Sequence, residues 1–188
     1  MTGFKSFGPQ FAPKPQYIQS ALASVCDELP SGFVDLRIFE PRFTDIFTAG
    51  AAHLGRHLKD FLPHENAWPE LPVICVNRFN PLAGKVDLFL HTLTRLIYRL
   101  SNYDRALDSA STFPYISICA MEGYSSPHHH SFDGVLYEIK DPVWKQHSRS
   151  VIWGCSCSTL SYTKRMAEER GLVFEGDAFD LERFLGRS

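Results

Sequence analysis

Apolar positions recur along this chain with two different periods. From Tyr17 to Leu29, Ile18, Leu22, Val25 and Cys26 fall at helical spacing, and Pro30-Ser-Gly closes the segment. Phe33 to Phe39 alternates instead. Phe33, Asp35, Arg37 and Phe39 share one face and Val34, Leu36 and Ile38 the other, which predicts a strand. Pro41 suits a helix start, and Phe43 to Leu62 sets Phe43, Ile46, Phe47, Ala51, Leu54, Leu58 and Phe61 on one stripe. After a loop from Pro63 to Glu70, the apolar run Leu71 to Arg78 predicts a buried strand. Val86 to Leu100 then predicts a second amphipathic helix. Tyr115 to Met121 and Val135 to Ile139 are rich in β-formers, and between them lie the turn residues Gly123, Ser125, Ser126 and Pro127. Ser150 to Cys155 reads as a further strand. Ser158 to Arg170 reads as a helix capped by Ser158 or Thr159 and stopped at Gly171, and Phe179 to Leu185 as a last short helix.

From residue 71 onward the order is β-α-β-β-β-α. That order predicts an α+β fold, with a mostly antiparallel sheet flanked by helices and an N-terminal helical extension. Residues 1–70 are expected to form an arm (1–15), a strand and helices packed on the core, and residues 71–188 the α+β domain. The broad apolar stripe of the 43–62 helix needs a partner, which favours one shared core.

Composition narrows the function. The formal net charge of the 188-residue chain is -2, so a strongly basic nucleic-acid binder is not indicated, although local patches remain open. The five cysteines are odd in number and follow no disulfide framework. No signal-peptide pattern and no bilayer-length apolar run stand out, and a reduced, cytoplasmic, soluble protein is expected.

Candidate chemistry concentrates between Tyr115 and Lys140. On a strand His128 and His130 point the same way, and Glu122 ends the strand before them. Two imidazoles and a carboxylate on one sheet face make an open divalent-metal site. Cys155 and Cys157 stand at alternate positions of the expected strand and can add ligands. Without a CxxC partner they read as a pair of structural thiols. His53 and His57 lie one turn apart on a helix with no third ligand beside them. Arg95, Arg99 and Arg105 could meet phosphates, but more often such a row is a solvated helix face.

The strand, the helix, the two strands with His-x-His opening the second, and a following helix with Tyr162 and Lys164 together resemble the HUH endonucleases. These include rolling-circle replication initiators and relaxases. The resemblance covers about residues 71–170. It implies that His128, His130 and Glu122 bind Mg²⁺ or Mn²⁺ and that Tyr162 attacks a phosphate of single-stranded DNA. Lys164 would assist by favouring phenolate or holding the phosphate.

Two other readings stay open. Asp133, Glu138 and Lys140 resemble the core of PD-(D/E)xK nucleases, in which the acids hold Mg²⁺ and the lysine orients water. A non-catalytic metal-binding or interaction protein is the third. A cupin-like barrel fits less well, because the acid spacing differs and no second motif is found.

Overall fold

A single long helix explains most of what surrounds it. In the computed structural model, residues 13–48, 61–71, 84–120, 127–174 and 179–186 are described. Helix α3 runs from Lys85 to Asp108, and its N-cap, Gly84, has no side chain to offer. The carboxylate of Glu65 replaces it, accepting from the backbone N–H of Lys85 and of Val86. Two of the four N–H groups that a helix start leaves unpaired are thereby satisfied from a distant turn. The helix runs past the predicted Leu100 to Asp108.

Helix α1 (Pro15–Asp27) starts with proline at its first position, and α2 spans Glu40–Thr48. Ile18, Leu22 and Val25 of α1 and Phe43 of α2 are buried with Phe89, Leu93, Leu96 and Ile97 of α3. Trp68 closes this layer, with its ring centroid 5.0 Å from that of Phe89. Each such side chain contributes roughly 1.5–3 kcal/mol by leaving water.

The alternating stretch before α2 is not a strand. Leu36–Phe39 is a 3₁₀ turn, and the Asp35 side chain accepts from the N–H of Arg37 and from its guanidinium. That local cap outcompetes an extended conformation. The predicted shared face dissolves: Leu36 is buried, whereas Val34 and Ile38 are 46 % and 66 % exposed. The expected strand at 71–78, the His53–His57 pair and most of the 1–15 arm lie outside the described residues.

Among the described residues the sheet has four strands, in the order β3-β1-β2-β4. Strands β1 (Tyr115–Cys119), β2 (Val135–Glu138) and β3 (Ser158–Tyr162) pair antiparallel, and the short β4 (Val173–Phe174) lies parallel to β2. The chain is therefore an α+β protein with a mostly antiparallel sheet. Helix α4 (Val143–Arg149) packs on α3, α5 spans Lys164–Glu169, and α6 spans Leu181–Phe184.

Two further predicted elements change type. Ser158–Tyr162 is strand rather than helix, because Thr163 is the cap: its hydroxyl accepts from the N–H of Met166, and α5 begins one residue later. The stretch expected as a strand from Ser150 is irregular, yet Val151 to Cys157 is buried without interruption. A buried loop must find partners for its backbone polar groups outside any ladder.

Candidate metal centre

The sheet register determines which groups meet. At one end of β1, Cys119 pairs with Ser158 of β3. At the same end Ile118 bridges Asp133, whose carboxylate accepts from the N–H of Ala120. The residues just before Ser158 are Cys155 and Cys157. The residues just before Asp133 form a 3₁₀ turn, Pro127–Phe132. The two segments are thus brought together.

Within that turn His129 is fully buried. Its ring stacks on Phe184 at a centroid distance of 4.0 Å and 10° between planes. Its Nε2 lies 2.8 Å from the Phe184 carbonyl. A carbonyl only accepts, so Nε2 carries the hydrogen and the lone pair of Nδ1 is left pointing the other way. Nδ1 meets both sulfurs, Cys155 Sγ at 3.5 Å and Cys157 Sγ at 3.3 Å. All three donor atoms lie within 4.8 Å of one another.

These distances have a metal-site interpretation. A tetrahedral ion about 2.3 Å from sulfur and about 2.0 Å from nitrogen sets N and S roughly 3.5 Å apart along the tetrahedron's edge. The Cys157 N–H also donates to Cys155 Sγ at 3.4 Å. Two thiols and an oriented imidazole form a soft, nitrogen–sulfur donor set. That set suits zinc, whereas Mg²⁺ and Mn²⁺ prefer oxygen.

Helix α3 surrounds the cysteine loop with polar groups. Thr92 Oγ1 accepts from the N–H of Gly154 at 3.2 Å, and His91 Nε2 lies 3.2 Å from the Cys155 carbonyl. The Arg95 guanidinium donates to the Ser156 carbonyl, and Arg99 to that of Ser150 at 2.6 Å. The arginine row expected on a solvated face is therefore partly turned inward. Burial, helped by the Arg95 charge, holds the His91 imidazole neutral, with its pKa down at about 4. His147, packed among Trp144, Phe179 and Phe184, is lowered to about 3 by burial and secondarily by Arg99.

The described residues among those singled out in the sequence stand apart from one another. Glu122 and the side chain of His128 lie outside what is described. His130 is exposed on the 3₁₀ turn, and on such a turn residues two apart do not share a face. Tyr162 is buried beside Leu136 and Ala167, paired with Tyr115 at the opposite end of β1. Four residues of strand separate that end from Cys119, roughly 13 Å. Lys164 is 79 % exposed and pairs with Glu168 at 4.0 Å. Asp133 precedes β2, while Glu138 and Lys140 stand exposed at its far end. Five residues of extended chain span about 16 Å. The histidine that meets the thiols is His129, between His128 and His130, and the spacing of the two cysteines alone does not point to it. Among the described residues no helix is long and apolar enough to cross a membrane.

No protein-family model, no curated protein and no solved structure matches this chain.

Proposed function

We propose that this protein binds one divalent ion of the zinc class through His129 Nδ1, Cys155 Sγ and Cys157 Sγ. The carrying observation is the convergence of both sulfurs, at 3.3 and 3.5 Å, on the one imidazole nitrogen left without a hydrogen. The ion would link three separate parts of the chain: the turn before β2, the loop before β3 and, through the Phe184 carbonyl, the C-terminal helix. The Phe184 hydrogen bond is the outer-shell partner that orients a ligating histidine. This reading belongs to the non-catalytic, metal-binding alternative among those the sequence left open.

The test is zinc titration against a chromophoric chelator. One zinc per chain is expected, with strong loss in His129→Ala, Cys155→Ser and Cys157→Ser and retention in Glu122→Gln, His128→Ala and His130→Ala. The reverse pattern would move the metal to the cluster expected from the sequence. Incubation with single-stranded DNA and Mn²⁺ tests the nuclease reading separately. A protein–DNA adduct lost in Tyr162→Phe would restore it.

A further inference from the structure

A metal site needs its ligands held in place, and here the holding groups belong to a helix that contributes no ligand. The loop from Gly154 to Ser156 is buried and irregular, with Gly154 at a positive φ of 74°. Three successive residues of this loop each engage an α3 side chain through a backbone group. The Gly154 N–H goes to Thr92, the Cys155 carbonyl to His91 and the Ser156 carbonyl to Arg95. His91 Nε2 also lies 3.3 Å from Ser156 Oγ. Residues 91, 92 and 95 occupy adjoining positions around one turn of α3. The contacts therefore form a continuous strip along the backbone that carries both thiols.

We infer that His91, Thr92 and Arg95 are positioning residues for the metal centre, fixing the separation and direction of the Cys155 and Cys157 sulfurs before any ion arrives. This inference rests on the metal-binding reading and goes beyond it, because it assigns the shape of the centre to α3 rather than to the ion. Rigid α3 is a suitable template: its apolar face is locked against α1 and α2, and Glu65 closes its start. Two properties follow. The site is formed in the metal-free protein, so the ion binds without a folding step. Loosening any one contact widens the sulfur pair and weakens an ion that demands tetrahedral geometry.

The experiment uses Co²⁺ as a spectroscopic probe on the full chain. Co²⁺ absorption in the visible and near-ultraviolet reports tetrahedral geometry and sulfur ligation directly. Wild type should give a tetrahedral, sulfur-ligated spectrum. Circular dichroism of the metal-free protein should not change when the ion is added. Arg95→Met and Thr92→Val should each weaken Co²⁺ by about tenfold or more and distort the spectrum. Arg95→Lys and Thr92→Ser, which keep a donor or an acceptor, should recover much of both. If Arg95→Met fails to fold, Thr92→Val decides, being nearly the same shape as the residue it replaces. Wild-type affinity and an unaltered spectrum in the folded variants would overturn the template and leave the metal site standing. Absence of any sulfur-ligated Co²⁺ signal in wild type would overturn both.

Discussion

The two ends of strand β1 carry different chemistry. At the Cys119 end the chain gathers a buried imidazole, two thiols and a frame of hydrogen bonds from α3. At the Tyr115 end it gathers Tyr162, Glu138 and the start of α5, with Lys164 and Arg165 in exposed i,i+4 ion pairs. At the first end His129, Cys155 and Cys157 are buried and their donor atoms converge. The second has one buried ring, and its charges face solvent. Electrostatic interactions gain strength where water is excluded. On the proposed metal-binding reading, residues that look reactive in the sequence therefore do less at the open end than a histidine and two cysteines do at the closed one.

Ligand removal is the largest lever on that contrast. The double variant Cys155→Ser, Cys157→Ser should lower zinc affinity by about a thousandfold or more, since zinc binding draws on both thiolates. Tyr162→Phe should leave that affinity unchanged, and competitive zinc titration on both reads the difference. Second, zinc should stabilise the wild type against heat. At a free concentration about a thousand times its dissociation constant, the gain is about 4 kcal/mol. Scanning calorimetry with and without chelator measures it. A chelator effect that survives in the double-serine variant would place the ion elsewhere.

Third comes acid. His147 is buried beside the closed end, and its folded pKa, near 3, lies below the ordinary histidine value. The unfolded chain takes up a proton near pH 6.5 and the folded one does not, so the unfolded state binds more protons between the two values. Stability is full above about pH 6.5 and falls as pH drops toward 3, by up to about 1.4 kcal/mol per pH unit within that window. His147→Phe should flatten this slope in urea unfolding at pH 7 and pH 5, measured without metal. The smallest effect belongs to the open end. Lys164→Ala should change stability by less than about 0.5 kcal/mol, because the Lys164–Glu168 pair is exposed and long. A larger loss would mean that the open end does more than its geometry indicates.

Much of the fold was legible where one period dominates. Helices α1 and α3 and the β1–β2 pair follow from apolar spacing, and the α+β class follows from their order. The failures share a cause, which is short-range capping or long-range pairing that periodicity does not see. The 33–39 alternation lost to the Asp35 cap. Hydroxyl caps at Ser158 or Thr159 favour a helix from there, whereas sheet pairing with β1 moves the helix start to Thr163. The candidate metal centre was half visible. Cys155 and Cys157 were recognised as able to share a direction, but strand parity grouped His128 with His130 and set His129 apart. On a 3₁₀ turn that parity is void, and the middle histidine turns inward onto Phe184. The buried loop that brings the cysteines there carries no periodic signal, because α3 side chains rather than a ladder satisfy its backbone.

X-ray absorption at the zinc edge of the zinc-loaded protein tests the central claim most directly. A first shell containing two sulfurs at about 2.3 Å and an imidazole nitrogen at about 2.0 Å is predicted. A shell of oxygen and nitrogen alone, or no stoichiometric zinc, would contradict it.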